Sequence, residues 1–363
     1  MSEGEIVPNH LTELRRVLAD TQRVLPVGNG TKQPLCQTTD STRVSLRSLR
    51  GIIEYEPSEF TFTAWAGTTL LEIVEALRDK RQYLPFDPML VEAGATIGGT
   101  IASGLSGPGR FRYGGVRDFI IGVKLLAGDG DLVQGGGKVV KNAAGFDIPK
   151  FLVGSLGRYA LMVEVSFKVF PQPPSMCTLR FDCDNHEEAM QRISMVACSG
   201  WEADAIDYRA SERIIYVRLA GPDGAIDRIS TEIRTKFSGG ELLTSDQAHS
   251  FWHSVTELNW SGFDRPLIVK VPTIGKRFLA ICPAMQDRPG VSSHLSVAGG
   301  VCWIALDSEA HIGWLDGLLK SQLLAGLVVR GQSDRFQIGQ WTTNQMQLAV
   351  KRAMDPQAKF AGV

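Results

Sequence analysis

Six histidines, His10, His186, His249, His253, His294 and His311, are the first candidates for proton transfer, and none stands in a pattern that assigns a catalytic base. His249 and His253 lie four residues apart beside Phe251 and Trp252. That spacing puts both on one helical face, either as a metal or proton-transfer pair or as surface or internally satisfied imidazoles. Arg110, Arg112 and Arg117 could hold a carboxylate, or could simply pair with Asp87 and Asp118. The residues leave both readings open. The cysteines, Cys36, Cys177, Cys183, Cys198, Cys282 and Cys302, form no C-x-x-C pair, so no thiolate zinc site or iron–sulfur cluster has its usual spacing and no metal is expected.

The standard nucleotide signatures also fail. Each Gly-x-Gly start lacks its third glycine, which is Gln33 after Gly28, Arg112 after Gly107 and Val133 after Gly128. Gly137-Lys138 is followed by Val139, and Leu132 stands where a phosphate loop needs its first glycine. G-x-S-x-G and H-E-x-x-H are absent.

What remains is Pro26-Val27-Gly28-Asn29-Gly30-Thr31-Lys32 at the end of an expected strand. Successive small residues let consecutive N–H groups point into one concavity, an anion nest to which Thr31 and Lys32 add side-chain donors. The competing reading is an Asn-Gly hairpin turn. Pro34 weighs against it by denying a return strand a donor. A second stretch, Ala95-Thr96-Ile97-Gly98-Gly99-Thr100-Ile101-Ala102-Ser103-Gly104-Leu105-Ser106-Gly107, is followed by Arg112 to Asp118 and offers hydroxyl and main-chain donors without bulk. Of the 38 glycines, 17 fall between Gly94 and Gly157, interleaved with apolar residues such as Ile97, Ile101, Phe119 and Val123 that a solvated linker would not carry. This segment is folded, and an extended ligand lying on main chain explains its glycines economically.

The elements that must position these loops follow from periodicity. A helix over Leu11 to Ala19 leads to a strand at Arg23 to Val27. Strands near Gly51 to Tyr55 and Phe60 to Ala66 precede a helix capped by Thr68 with Leu71, Val74 and Leu77 on its apolar face. Phe119 to Ala127, Leu132 and Leu161 to Val169 complete the strands of this half, and Pro171, Pro173 and Pro174 end it. Beyond Cys177, strands near Thr178–Phe181, Ala205–Arg209, Ile214–Leu219, Leu267–Val271, Val301–Leu306 and Ala325–Val329 alternate with helices, which implies an antiparallel sheet with helices on one face. At 363 residues, two domains are expected.

Lys+Arg 38 against Asp+Glu 39 leaves no bulk positive field for nucleic acid or an anionic membrane. The most apolar run, Leu295 to Leu306, is about 12 residues, short of the roughly 20 that span a bilayer. The N-terminus lacks the form of a signal peptide, so a cytoplasmic protein with no transmembrane segment is expected.

These residues resemble a family. Pro26 to Lys32, Leu84-Pro85-Phe86-Asp87-Pro88, Thr96 to Gly107, Arg112 to Asp118, and Val140-Lys141-Asn142-Ala143-Ala144-Gly145-Phe146-Asp147 leading to Gly154-Ser155-Leu156-Gly157 follow the order of FAD-binding domains of the vanillyl-alcohol oxidase type. Within that type the chain is most similar to the FAD-binding subunits of bacterial glycolate oxidases, and Met354-Asp355-Pro356 with Phe360 and Gly362 resembles their closing segment. The resemblance implies an α+β fold: a two-subdomain FAD-binding domain over 1–172, a cap domain with a mostly antiparallel sheet over 173–340, and a returning segment over 341–363. It implies that Val27, Gly28, Asn29, Gly30, Thr31 and Lys32 hold the FAD pyrophosphate. Pro88, Thr96, Ile97, Gly98, Gly99, Ala102, Ser103 and Gly107 would line the ribityl chain and ring, and Gly157 and Leu161 the adenine side. Neither loop carries the His or Cys that tethers flavin in some relatives, so the FAD is expected to be non-covalent.

The resemblance further implies oxidation of a small 2-hydroxy acid such as glycolate beside a related flavin subunit and an iron–sulfur subunit, with any membrane association peripheral and made through them. Oxidising such a substrate needs a base for the hydroxyl proton and a cation for the carboxylate. With no base assigned, two other readings stand: a non-catalytic FAD-binding or electron-relay subunit, and a stand-alone flavin oxidoreductase with another substrate.

Overall fold

The computed structural model describes residues 4–38, 40–137, 146–342 and 345–362. They form two compact units, one from residues 4–106, 115–172 and 342–362, the other from 107–114 and 173–341.

In the first unit, helix α1 (Leu11–Asp20) buries Leu14 and Leu18 and is followed by strand β1 (Val24–Val27). β1 pairs in parallel with β2 (Thr42–Ser45), whose other edge takes the short strand Glu5–Ile6. Five more strands, β3 (Ile52–Glu56), β4 (Thr61–Trp65), β5 (Ile120–Leu126), β6 (Leu132–Gly136) and β7 (Leu161–Lys168), make an antiparallel sheet in the order β3-β4-β7-β5-β6. One face is sealed by side chains such as Phe62 and Phe167, stacked with centroids 5.7 Å apart. Helices α2 (Leu70–Arg78) and α3 (Ile97–Ser103) belong to this unit. The cap of α2 is Thr69, whose hydroxyl accepts from Glu72 N–H, and not Thr68 as the sequence suggested. Thr68 is fully buried, and its hydroxyl is turned to other main chain, accepting from Gly51 N–H at 2.9 Å and donating to Trp65 O at 2.7 Å.

The second unit is built on β8 (Ser175–Asp182), β9 (Ala205–Arg209), β10 (Ile214–Gly221), β11 (Leu267–Pro272), β12 (Val291–Ser296), β13 (Val301–Leu306), β14 (Ala325–Arg330) and β15 (Gln337–Gly339). With the short edge strand Glu241–Leu242 beside β8, they form one nine-stranded sheet in the order β8-β10-β9-β12-β13-β11-β14-β15. Every pairing described in it is antiparallel.

Alternation along the strands splits their side chains between two faces. Ile206, Tyr208, Val217, Val269 and Ile304 join one large core with α4 (His186–Ala197), α5 (Asp223–Lys236), α7 (Gly275–Gln286) and α8 (Ile312–Ser321). Ala205, Ile214 and Tyr216 turn the other way, against Phe251, Trp252 and Val255 of α6 (Ser245–Thr256). The helices therefore lie on both faces rather than the single face expected from the sequence. An apolar stripe on α6 and a second set of apolar strand positions require it. Residues 107–114 join this unit: Phe111 packs on the large core, and Arg112 pairs with Glu202 at 2.7 Å.

Candidate cofactor site

β1 ends at Val27 and releases the chain into Gly28–Lys32. Ser45 on β2 holds the loop's start, donating to Gly28 O at 3.0 Å, and Asn29 Nδ2 donates to Gly94 O at 2.8 Å. The second bond ties the first glycine loop to the turn that opens the second. Gly28 is required by close approach, because a Cβ there would sit 2.2 Å from Thr96 Oγ1. That hydroxyl is already committed, since it caps α3 by accepting from Gly99 N–H at 3.2 Å. Gly157 has φ +69, and its main chain lies against Pro26 O.

Between these segments runs a cavity of two connected lobes. The first, with about 440 Å³ of open space, is lined by Pro26 to Lys32, Leu35, Cys36, Thr96, Gly99, Ala102, Ser103 and Leu156. The second, about 350 Å³, shares Pro26, Val27, Gly28, Thr96, Gly99 and Ala102, and adds Leu46, Ala66, Gly98, Gly157, Ala160 and Met162. Val27, Gly28, Asn29, Gly30, Thr31, Lys32, Thr96, Gly98, Gly99, Ala102, Ser103 and Gly157 are thus brought together. Ile97, the first residue of α3, is fully buried and lines neither lobe, and neither do Pro88, Gly107 and Leu161; Gly107 folds with the second unit. Sequence reasoning missed Leu35, Cys36, Leu46, Ala66, Leu156, Ala160 and Met162. As single small or apolar residues they carry no local signal. Within the stretches that carry the resemblance, residues 140–145 lie outside the described residues, while Asp147 caps a short helix, accepting from Lys150 N–H at 3.2 Å.

The lining has the electrostatics of an anion site. Lys32 is only 6% exposed, and burial pulls its ammonium down to about 8. Among the described residues its one hydrogen bond is a long one, 3.4 Å to Thr31 Oγ1, and no carboxylate pairs with it. Neither do the main-chain N–H groups of Gly28 to Lys32 find acceptors among the described residues. A buried cation beside unused donors is a costly arrangement that a bound anion relieves. Cys36 is a neutral thiol here, its pKa raised chiefly by burial. Among the described residues no His, Asp, Glu or Tyr lines the two lobes.

Comparison with known proteins bears directly on this anion. Residues 3–136 match the FAD binding domain family. Over 304 residues the chain is 30% identical to glycolate oxidase subunit GlcE of Escherichia coli strain K12, covering 83% of this chain and 82% of the relative. The chain belongs to the family of glycolate oxidase FAD-binding subunits. It is also 30% identical over 202 residues to glycolate oxidase subunit GlcD of Bacillus subtilis strain 168, a match covering 53% of this chain and 42% of that relative. p-Cresol methylhydroxylase has the same fold, with a TM-score of 0.74 at 12% identity over 97% of this chain and 86% of that one. The fold is the vanillyl-alcohol oxidase type.

As a member of this family the chain carries an FAD-binding domain, and the cavity fits the cofactor. Lys32 and the loop's N–H groups are donors of the kind a pyrophosphate needs, and Gly28, Gly98, Gly99 and Gly157 are among the residues lining the second lobe.

The other candidates are placed as follows. Arg112 donates to both the main chain and the carboxylate of Glu202. Arg110 and Arg117 are exposed, and Asp118 accepts from Gly115 N–H at 2.9 Å, capping a short helix. The rings of His249 and His253 are 5.8 Å apart along α6. Among the described residues no group of three His, Cys, Asp or Glu is placed to hold a metal, and no helix is long and apolar enough to cross a membrane.

Proposed function

We propose that the chain holds FAD non-covalently and works as one subunit of a cytoplasmic assembly that dehydrogenates a small 2-hydroxy acid of the glycolate class. Of the FAD contacts named from the sequence, those that line the cavity are Val27 to Lys32 for the pyrophosphate, Thr96, Gly98, Gly99, Ala102 and Ser103 for the ribityl chain and ring, and Gly157 toward the adenine. The observation that carries the reading is Lys32, a buried ammonium with no carboxylate partner at the mouth of a glycine-lined cavity. Bound FAD supplies the hydride acceptor. The chain's own part is to fix the cofactor, with Lys32 neutralising its phosphates and the close approach of Gly28 to Thr96 holding the loop's main chain beside the start of α3. Kinship with both a GlcE and a GlcD supports a related flavin subunit as partner. The six scattered cysteines support drawing the iron–sulfur centre from a further subunit.

A relay role is favoured by a different observation, the lack of any acid–base side chain other than Lys32 and Cys36 among the residues lining the cavity. Anaerobic mixing of the FAD-loaded chain with glycolate or D-lactate separates the two. Loss of the visible flavin absorbance by the chain alone supports dehydrogenation on this subunit. Loss only in the presence of the partner subunits supports the relay. A folded chain that takes up no FAD overturns both, and release of FAD into the filtrate on acid treatment checks that it is not covalently held.

A further inference from the structure

β12 carries a buried histidine that the cofactor site does not use. His294 is fully buried, and its Nε2 lies 2.7 Å from Asp207 Oδ2 on β9. The other oxygen of Asp207 accepts from Ser296 Oγ at 2.8 Å. The carboxylate is therefore wholly an acceptor and holds an imidazole hydrogen on Nε2, which in the neutral ring leaves Nδ1 bare. Nδ1 is buried and finds no partner in the protein.

Two other orphaned atoms belong to the same cluster. Arg209 sits directly across the strand pair from His294, so both side chains leave one face of the sheet. Its Nε is buried without a partner, although its terminal nitrogens reach Glu212 at 3.3 Å and Ser254 at 3.5 Å. Trp260, just beyond α6, lies with its ring 5.4 Å from that of His294, and its Nε1 is likewise buried and unpartnered. Phe251 closes the group, 5.1 Å from the Arg209 guanidinium and 6.1 Å from the His294 ring. Two N–H donors and one bare nitrogen are what a single water satisfies, since a buried water makes about three hydrogen bonds to groups of this kind.

We propose that Arg209, Trp260 and His294 enclose one ordered water, and that this water serves the Nδ1 of His294, whose ring is oriented by Asp207. Asp207 is the positioning residue, because it sets the tautomer. The water accepts from Arg209 Nε–H and Trp260 Nε1–H and donates to His294 Nδ1. A bound anion would instead need three donors and therefore a doubly protonated imidazole.

The test uses the full-length wild-type protein. A crystal structure at high resolution is expected to show a peak roughly 3 Å from all three atoms, and ¹⁵N spectra of histidine-labelled protein are expected to report the Nε2–H tautomer for His294. An empty site, a direct bond from any of the three atoms to another protein atom, an Nδ1–H tautomer, or a doubly protonated ring at neutral pH would each overturn the proposal. In Trp260→Phe the water is expected to be lost and the Nδ1 resonance to shift, whereas Ser250→Ala, on the exposed side of α6, leaves both unchanged. An unmoved Nδ1 resonance in folded Trp260→Phe would also overturn it. None of these readouts involves flavin or substrate, so they stand or fall apart from the proposed function.

Discussion

Lys32 is held in the protein at a cost that a bound anion would remove. Its pKa falls from 10.5 to about 8 through burial, which corresponds to about 3 kcal/mol against the charged form. In the cofactor-free protein the folded state binds protons less well than the unfolded chain. The penalty is full below pH 8 and is relieved as pH rises from about 8 to 10.5. Lys32→Met is therefore expected to raise the melting temperature of the cofactor-free protein at pH 7, measured by calorimetry. FAD binding reverses the sign, because the pyrophosphate favours the ammonium. Wild-type affinity is expected to be constant below about pH 7.5 and to weaken as pH climbs past 8. Lys32→Met should bind roughly 10- to 100-fold more weakly at pH 7, since a charged hydrogen bond is worth about 1.5–3 kcal/mol, and its affinity should be flat through this pH window. Titration of FAD by fluorescence quenching at pH 7 and pH 9.5 reads both effects; equal pH slopes for the two proteins would remove Lys32 from the phosphate site. The residue types of this loop were legible in the sequence, but the burial that gives Lys32 its charge penalty was not. Lys32 shares the lining of the cavity with Leu35, Cys36 and the distant Leu156, and its own side chain carries no sign of burial in the sequence.

At the scale of elements, the Gly28–Thr96 contact joins the end of β1 to the start of α3. Thr96→Ala removes the cap and is expected to cost about 1 kcal/mol, a fall of about 2–4 °C in melting temperature for a unit of this size. Gly28→Ala drives a methyl into the Thr96 hydroxyl and should cost more, with at least about a tenfold loss of FAD affinity. Because both act on one contact, the double mutant should fall well short of the sum, and additive losses would show that the two loops are not coupled here.

Elements such as these follow readily from periodicity, and the observed β9 and β13 keep the bounds the sequence suggested. β12 does not follow. Its Val-Ser-Ser-His-Leu-Ser offers no run of alternating apolar residues, yet its last four residues are buried at the centre of the sheet. Those polar side chains are tolerated because Asp207, itself 1% exposed, satisfies His294 and Ser296 from the neighbouring strand. A partner 87 residues away in the chain leaves no trace in local sequence.

At the scale of the whole chain, residues more than 300 positions apart meet behind the cofactor loop. Val24 N–H donates to Lys359 O at 2.7 Å and Ala361 N–H to Val24 O at 3.0 Å, so the closing segment meets the start of β1 in one parallel bridge between Val24 and Phe360. Its hub is Asp355, whose side chain is fully buried. It accepts from Lys359 N–H and Phe360 N–H, both at 2.8 Å, and from Lys351 Nζ at 2.7 Å. Lys351 also donates to Phe360 O at 3.1 Å and Ala361 O at 3.3 Å, so one ammonium and one carboxylate fix the course of the segment. Removing one partner of a buried pair costs about 3–5 kcal/mol, because the other charge is left unpaired. Asp355→Ala is expected to lose that much stability, and because the closing segment it anchors bonds to Val24 of β1, the strand that leads into Gly28–Lys32, FAD affinity should fall with it. Lys351→Met combined with Asp355→Ala removes both charges and should recover part of the stability. It should not recover FAD affinity, because the donors and acceptors that shape the segment are gone in either case. Chemical denaturation of each variant with and without FAD separates the two effects. If Asp355→Ala destabilises the chain while binding FAD as tightly as the wild type, the closing segment supports the fold without shaping the cofactor loop.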